Sequence, residues 1–439
     1  MIHRPGFFLD QHLKYTLILI LWLISGAIVD SMALQLYQPV KVQKIDSSGV
    51  LICKGLVMDA ESGLRLALAS ISVEGTKMAT VTNSEGEFLL KIPETYRTAR
   101  LLVSFLGYQK TYFPVSVFLD GISRLELKVM PVPLPEVNVV FKDAESLMKT
   151  VLEKRGDNYV NTPTLMTAFY RETIRKRKTY VVLLESVVDV LKMPYTSVRR
   201  DVASLYKVRK NTDYAKLDTV VFKLMGGPYN TLFSDLMKTP EDMFTEKIFE
   251  NYTFSFDRST RIDDRLVYVL NFKQRSSVPD PLYYGKLYID SETLALVSAV
   301  YDINLADPEK VSGLFIRKKP LNAKVTVTKA RYQVNYLVRD NQWYLGYSRA
   351  ELGVEINWKR RLFHTNYESV MEMAVTDWTS DVPENWNRSG SRLRTNVVVS
   401  DAVTGFLDPD FWGLSNVIEP DKSIESAIRK ITRKLEQHK

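Results

Sequence analysis

The 439-residue chain carries 59 Lys and Arg against 51 Asp and Glu, a formal charge of +8, with 45% hydrophobic and 25% charged residues. This is a globular composition with room for two or three domains, and it excludes a disordered, collagenous or low-complexity protein. One cysteine, Cys53, excludes an intrachain disulfide, and 23 Tyr with 19 Phe favour sheet over helix.

The first segment reads as a targeting leader. Arg4 and Lys14 precede the apolar run of residues 15–29, and Ser31-Met32-Ala33 places small residues where a signal peptidase needs them. A run of this length is short for a bilayer span of roughly 20 residues. The expectation is a leader over 1–33 and a short linker over 34–50; a retained N-terminal anchor is the alternative. Export without disulfides points to the periplasm or outer-membrane surface of a gram-negative bacterium. The excess positive charge then suits an outer-membrane protein, a lipid or an acidic glycan as partner, with peripheral membrane association and no nucleic acid.

Residues 51–130 show short alternating segments broken by turns every 8–12 positions, which predicts a β-sandwich. Cys53 falls on its first strand as a small buried residue. The set Gly55-x-Val57-x-Asp59, Ala69-x-Ile71-x-Val73-x-Gly75-Thr76, Thr82-x-x-x-Gly86-x-Phe88 and Phe105-x-Gly107-Tyr108 resembles the carboxypeptidase regulatory-like domain. The resemblance implies a prealbumin-like sandwich and an envelope location. Two turns depart from the pattern, at Ala67 and at Asn83-Ser84, where a Pro and an Asp are usual. The resemblance does not extend to a peptidase. After the leader the only histidines are His364 and His438, so the His-Glu pair and distant His of a zinc carboxypeptidase are missing, and no cofactor is expected.

A proline-rich linker over 131–141 leads into Glu136-Val137-Asn138-Val139-Val140, read as the exit strand of the sandwich in preference to a docking strand. Residues 142–375 then form the larger domain. Asp143 caps a helix through 154, after which the hydrophobic period changes from 3.6 to 2. Strands are predicted at 165–174, 179–191, 252–256, 266–272, 282–289, 294–301, 323–338, 342–356 and 358–374, with a helical stretch at 230–244. The pattern is an antiparallel meander that must curl around something. The segment 285–293 is similar to a hairpin of lipoprotein-carrier-like half-barrels. The fold class is mainly β: a prealbumin-like sandwich plus an α+β domain with a curved antiparallel sheet of half-barrel form. Residues 376–439 make a tail and an amphipathic helix from Ser423, either docked or lying on a membrane. Together with Ala168-Phe169-Tyr170-Arg171-Glu172-Thr173, the tail resembles a group of envelope proteins that carry the same sandwich in front. That resemblance brings no assigned activity.

Basic residues recur as clusters in the second domain: Arg175, Lys176, Arg177 and Lys178; Arg199 and Arg200 with Lys207, Arg209 and Lys210; Arg317 to Lys319; and Lys359, Arg360 and Arg361. If they converge they form an anion-binding surface, and if they scatter they are solubilising hairpin tips. Gly346-Tyr347-Ser348-Arg349-Ala350 is a near miss to a serine-hydrolase elbow inside a strand. Asp263-Asp264 and Asp377 with Asp381 are the carboxylate pairs a glycan hydrolase would need. The leading expectation is a non-catalytic envelope protein with no catalytic or metal residues. Its sandwich is an interaction module and its sheet domain binds a lipid-like, glycan or protein partner. A carboxylate-based glycan hydrolase and a purely structural surface component are the alternatives.

Overall fold

The computed structural model describes residues 49–118, 121–130, 141–214, 217, 227–240, 243–244, 249–262, 265–316, 322–359, 364–383, 386, 393, 403–408 and 410–437. The leader expected over 1–33, residues 34–48 and the proline-rich stretch 131–140 lie outside them.

The N-terminal unit has seven strands: β1 (Val50–Asp59), β2 (Ser70–Val73), β3 (Ala79–Val81), β4 (Glu87–Pro93), β5 (Arg100–Ser104), β6 (Thr111–Pro114) and β7 (Ile122–Leu127). They form two sheets, β4-β1-β7 and β3-β2-β5-β6. Alternate residues of each strand face the shared core, where Cys53, Val57, Ile71, Val73, Phe88, Leu90, Leu101, Val103 and Leu125 are buried together. Burial pushes the Cys53 thiol up to about 11. The β3–β4 hairpin explains the Asn83 departure. Its side-chain carbonyl accepts from the backbone N–H of Glu85 and Glu87, both at 2.9 Å, which is the work of an Asp at such a turn. Gly86 is obligatory there, with φ of +74° and a Cβ that would meet Val57 O at 2.7 Å.

The second unit is one curved, unclosed sheet of ten antiparallel strands. They are β8 (Thr164–Lys176), β9 (Thr179–Lys192), β10 (Val202–Thr212), β11 (Tyr252–Ile262), β12 (Arg265–Gln274), β13 (Tyr283–Asp290), β14 (Leu296–Ile303), β15 (Ala323–Arg339), β16 (Gln342–Trp358) and β17 (Thr365–Thr379). The spatial order is β10-β9-β8-β17-β16-β15-β14-β13-β12-β11, so the last strand returns to pair with the first. The helices are α1 (Ala144–Glu153), α2 (Arg155–Asn158), α3 (Pro228–Leu232), α4 (Pro308–Phe315) and α5 (Lys422–Gln437). Asp143 caps α1 by accepting from Ser146 N, as its position predicts.

Several elements differ from the sequence reading, among them β17, which begins at Thr365 where 358 is predicted, and β11, which runs to Ile262 where 256 is predicted. β10 was not foreseen: Lys207, Arg209 and Lys210 interrupt its hydrophobic alternation. The helix expected over 230–244 contracts to α3 followed by tight turns, because Pro240 and a run of local i→i+3 bonds leave no regular ladder. α4 was also missed, although Asp307 and Pro308 form a capped start. β14 begins later than predicted, since Leu294 takes a positive φ of 61° in the turn.

Each face of the sheet has its own cover. The inner face carries the main core, with α1, α3 and the turns after it packed against it. Parts of the outer face are covered by the C-terminal segment and by the N-terminal unit. Trp412, Val417 and Ile418 pack with Val81 of β3 on Phe169, Val187, Tyr347 and Ala374. Ile424 and Ile431 of α5 pack with Phe406 on Leu183. The final amphipathic helix is therefore docked against the protein.

Candidate functional site

The inner face is apolar and aromatic along most of its width. Cross-strand register places one row across the whole sheet: Lys210, Leu184, Glu172, Met371, Ala350, Tyr332, Tyr301, Gly285, Phe272 and Phe254. Tyr301 stacks on Tyr332 with centroids 5.1 Å apart. Gly285 makes room for this, because a Cβ there would meet Val300 O at 2.2 Å and Tyr301 Cα at 2.6 Å. On one side of the row lies the helix-covered core. On the other lies a second apolar cluster of Ile174, Val182, Val325, Val327, Leu352, Val354, Ile356 and Tyr367, with Val311 of α4 packed on it. Tyr283 and Tyr332 touch both clusters, so the apolar surface is continuous.

Two ion networks are buried against this sheet. On the outer face Arg171 donates to Glu185 at 2.8 Å, to Glu372 at 3.2 Å and to the Ile418 carbonyl at 2.7 Å. Arg209 completes Glu185, and Arg349 and the Tyr347 hydroxyl complete Glu372. Burial opposes the charge on Glu185, and Arg171 and Arg209 outweigh it, so its carboxyl stays below the usual range. The second network lies at the inner end of β9. Lys192 reaches Asp201 and Asp235, each at 2.6 Å, and Asp235 also accepts from Tyr195 at 3.0 Å and Tyr336 at 2.7 Å. Burial works against the Lys192 charge and the two aspartates outweigh it. Both networks are closed ion sets, the form in which buried charge is tolerated.

A third polar group is different. Glu172 is 9% exposed on the inner face and accepts from the Tyr170 hydroxyl at 2.9 Å. Burial raises its pKa, opposed only in part by Tyr170 and the Lys210 ammonium. Nearby on the same face, Ser348 (0% exposed) and Ser369 (6%) bury hydroxyls with no hydrogen-bond partner.

The structure brings some of the predicted basic residues together and separates others. Arg175, Lys176, Arg177 and Lys178 form the β8–β9 tip, and β17 pairs with β8 so that Tyr367 lies opposite Lys176. The β16–β17 tip, which Lys359 opens, is therefore beside it. The Lys359 backbone N–H donates to Asn322 O, just before β15. Arg177, Lys178 and Lys359 are exposed, whereas Arg175 pairs with Glu368 and Lys176 lies over the Tyr367 ring. Arg360, Arg361 and the cluster 317–319 lie outside the described residues. Arg199 and Arg200 sit in the β9–β10 connection at the other end of β9, about 40 Å away by strand rise. Lys207 and Arg209 are on the outer face, bonded to Phe411 O and Glu185. The end that gathers the basic tips is also where the second apolar cluster lies, with Tyr214 (69% exposed) and Leu314 (60%) beside it.

Ser348 sits in the middle of β16, not on a strand-to-helix turn. The Asp377 carboxylate accepts from the Trp378 N–H, and the Asp381 N–H donates to the Thr379 hydroxyl. His364 lies 3.6 Å from Glu355 at the exposed β16–β17 tip. Asp263-Asp264 lies outside the described residues. Among the described residues no group of His, Cys, Asp and Glu is placed to hold a metal ion, and no helix is long and apolar enough to cross a membrane.

The sequence reading missed Lys192, Asp235 and Ser369; it quoted Glu172 within a family-like segment and Ser348 within a hydrolase-like one, without their burial on this face. Glu172 had a signal available, since it falls in phase with Tyr170 and Ile174 on the buried side of its strand. Lys192 and Asp235 had none, being 43 residues apart and joined only by the fold.

Among solved structures, the chain is similar to a DUF1329 family protein from Desulfovibrio piger, with 12% identity, 56% of this chain and 97% of that one covered, and a TM-score of 0.23. A LolA superfamily protein from Nitrosomonas europaea gives 12% identity, 56% and 97% coverage and a TM-score of 0.20. A lipovitellin structure concerned with lipid–protein interactions gives 8% identity, 51% and 26% coverage and a TM-score of 0.24. Superpositions this loose carry no functional argument. No curated protein matches the chain. Residues 53–140 match the family model of the CarboxypepD_reg-like domain. With the two-sheet arrangement and its glycine-dependent hairpin, this match makes the N-terminal unit a carboxypeptidase regulatory-like domain.

Proposed function

We propose that this is a non-catalytic, exported envelope protein whose open half-barrel binds an acyl-chain lipid with an anionic headgroup, while the regulatory-like sandwich serves as an interaction module. One observation carries the reading: exposed Arg177, Lys178 and Lys359 gather at the end of the sheet where the apolar cluster of Ile174, Leu352 and Ile356 lies. Apolar surface beside fixed positive charge matches the two halves of an anionic lipid. The buried carboxylates Glu185, Glu372, Asp201 and Asp235 are engaged by cations, which disfavours the hydrolase alternative.

Native mass spectrometry of the full-length protein, released in mild detergent, is expected to show an adduct of lipid mass that organic extraction removes. A bare protein mass in gentle preparations, with no uptake of phosphatidylglycerol supplied in micelles, rejects the reading.

A further inference from the structure

The C-terminal helix α5 has a face that the lipid-binding reading leaves without a role. Its apolar stripe, Ile424, Ile428, Ile431 and Leu435, packs with Phe406 on Leu183 and Tyr180. The opposite side carries exposed Arg429, Lys430 and Arg433, and the helix holds five basic residues against two acidic ones. Arg429 pairs with Glu425 at 3.3 Å and Lys434 with Asp213 at 3.8 Å. Helical phase points Lys430 and Arg433 away from the sheet.

Contacts at both ends fix where this face lies. The Ser423 hydroxyl is 3.0 Å from the Tyr180 hydroxyl, at the start of β9. Lys434 reaches Asp213, whose backbone N–H donates to Val181 O. The 16-residue helix, about 24 Å long, therefore crosses the strands just behind the 176–179 tip. Exposed Arg177, Lys178 and Lys359 at the strand ends, with Lys430 and Arg433 on the helix, make a basic rim. Tyr214, next to Asp213, is 69% exposed at the same place, a side chain suited to the headgroup level of a membrane. The sandwich touches the start of α5, with Glu85 near Lys422 and Ser84 bonded to Asp421, and Lys430 and Arg433 stay exposed beyond it.

We infer that α5, docked by its apolar stripe, is an electrostatic seat for the anionic surface of a phospholipid bilayer. With the stripe buried in the protein, the helix attaches through charge and inserts no apolar face. The seat adds a second row of cations to the tips and sets the mouth of the half-barrel against the membrane. The inference rests on the lipid-binding reading for its purpose, and it names the surface on which that ligand is met.

The test is flotation of the full-length protein with vesicles of equal parts phosphatidylglycerol and phosphatidylcholine at low salt. Lys430→Gln with Arg433→Gln is expected to lower partitioning roughly thirtyfold, since each cation near an anionic surface contributes about fivefold. The charge-matched pair Arg199→Gln with Arg200→Gln, exposed at the far end of β9, is expected to leave partitioning near the wild-type level. Both variants should unfold at the wild-type temperature, since all four side chains are exposed. Equal loss in the two pairs, or full binding by the helix variant, overturns the inference. So does a wild-type protein that ignores the vesicles and binds polyglutamate, which would assign the face to an acidic protein. A wild type without a lipid adduct in native mass spectra, with the helix effect intact, rejects the lipid-binding reading and leaves the seat standing.

Discussion

Glu172 shows how one residue's surroundings decide its chemistry. Its neighbours in the row are Leu184 and Met371, so burial favours the neutral acid. The stability this gives is fully present below the ordinary value of 4.5 and is lost as pH rises through the raised folded value. Glu172→Gln keeps an acceptor for the Tyr170 hydroxyl and carries no charge. The variant's stability relative to wild type is therefore expected to improve as pH climbs from below 4.5 toward neutrality. Urea unfolding across that range measures it, and a constant difference would show that the folded carboxyl titrates normally. Lys192 is the opposite case, a charge held by two aspartates, where the fold has built a complete set of partners.

The C-terminal segment acts as an element that ties two units together. The Thr80 hydroxyl donates to Val417 O, Asn416 exchanges hydrogen bonds with the Lys91 backbone, and Ser84 bonds Asp421, all from the sandwich side. From the sheet side, Arg171 bonds Ile418 O and Lys207 bonds Phe411 O. Trp412 is the anchor, edge-on to Phe169 at 5.5 Å with the Arg209 guanidinium 5.0 Å from its ring. Trp412→Ala is expected to cost about 3–5 kcal/mol. Limited proteolysis should then cut first within residues 403–437. A segment as resistant as that of the wild type would show that the anchor lies elsewhere.

At the scale of the molecule, the sandwich lies over part of the outer face, and several of its contacts are with the strand ends away from the basic tips. The sandwich meets the sheet through β3 against β17, through Lys77 over the Trp378 ring near the end of β17, and through Gly107 N–H donating to Arg261 O near the end of β11. The tip at 176–179, with Lys359 and His364, is at the other end of the strands. The β3–β4 turn of the sandwich reaches back toward the basic end, with Ser84 bonded to Asp421 and Glu85 near Lys422, and Ser423 beside them bonded to Tyr180 of β9. Full-length protein is expected to float with phosphatidylglycerol vesicles at low salt and to lose that binding as salt screens the charges. Replacing Arg177, Lys178 and Lys359 together by Glu should abolish flotation, while Arg199→Glu with Arg200→Glu should leave it intact. Equal loss in both variants would mean that net charge, and not the basic end, governs attachment.

Much of the architecture was legible because period and turn chemistry are local. The two-residue alternation of 323–338 and 342–356, broken at Asp340-Asn341, marks a hairpin by itself, and both turn residues take the positive φ that such a turn needs. The glycines and turn residues of 51–130 likewise marked the sandwich family. β10 was hidden because an edge strand carries charges that mask its alternation, and α3 because Pro and short turns mimic a helix in composition. The pairing of β17 with β8 was beyond local reasoning, since contacts between residues some 200 positions apart leave no periodic trace. That pairing sets the basic tips side by side, closes the Arg171 and Glu372 network, and lines Ser369, Glu172 and Ser348 along one face. The sequence by itself determined the elements and the sandwich; the tertiary structure alone decided which charges are paired, which hydroxyls are orphaned and where the cations meet, because burial and distance exist only once the sheet has curled.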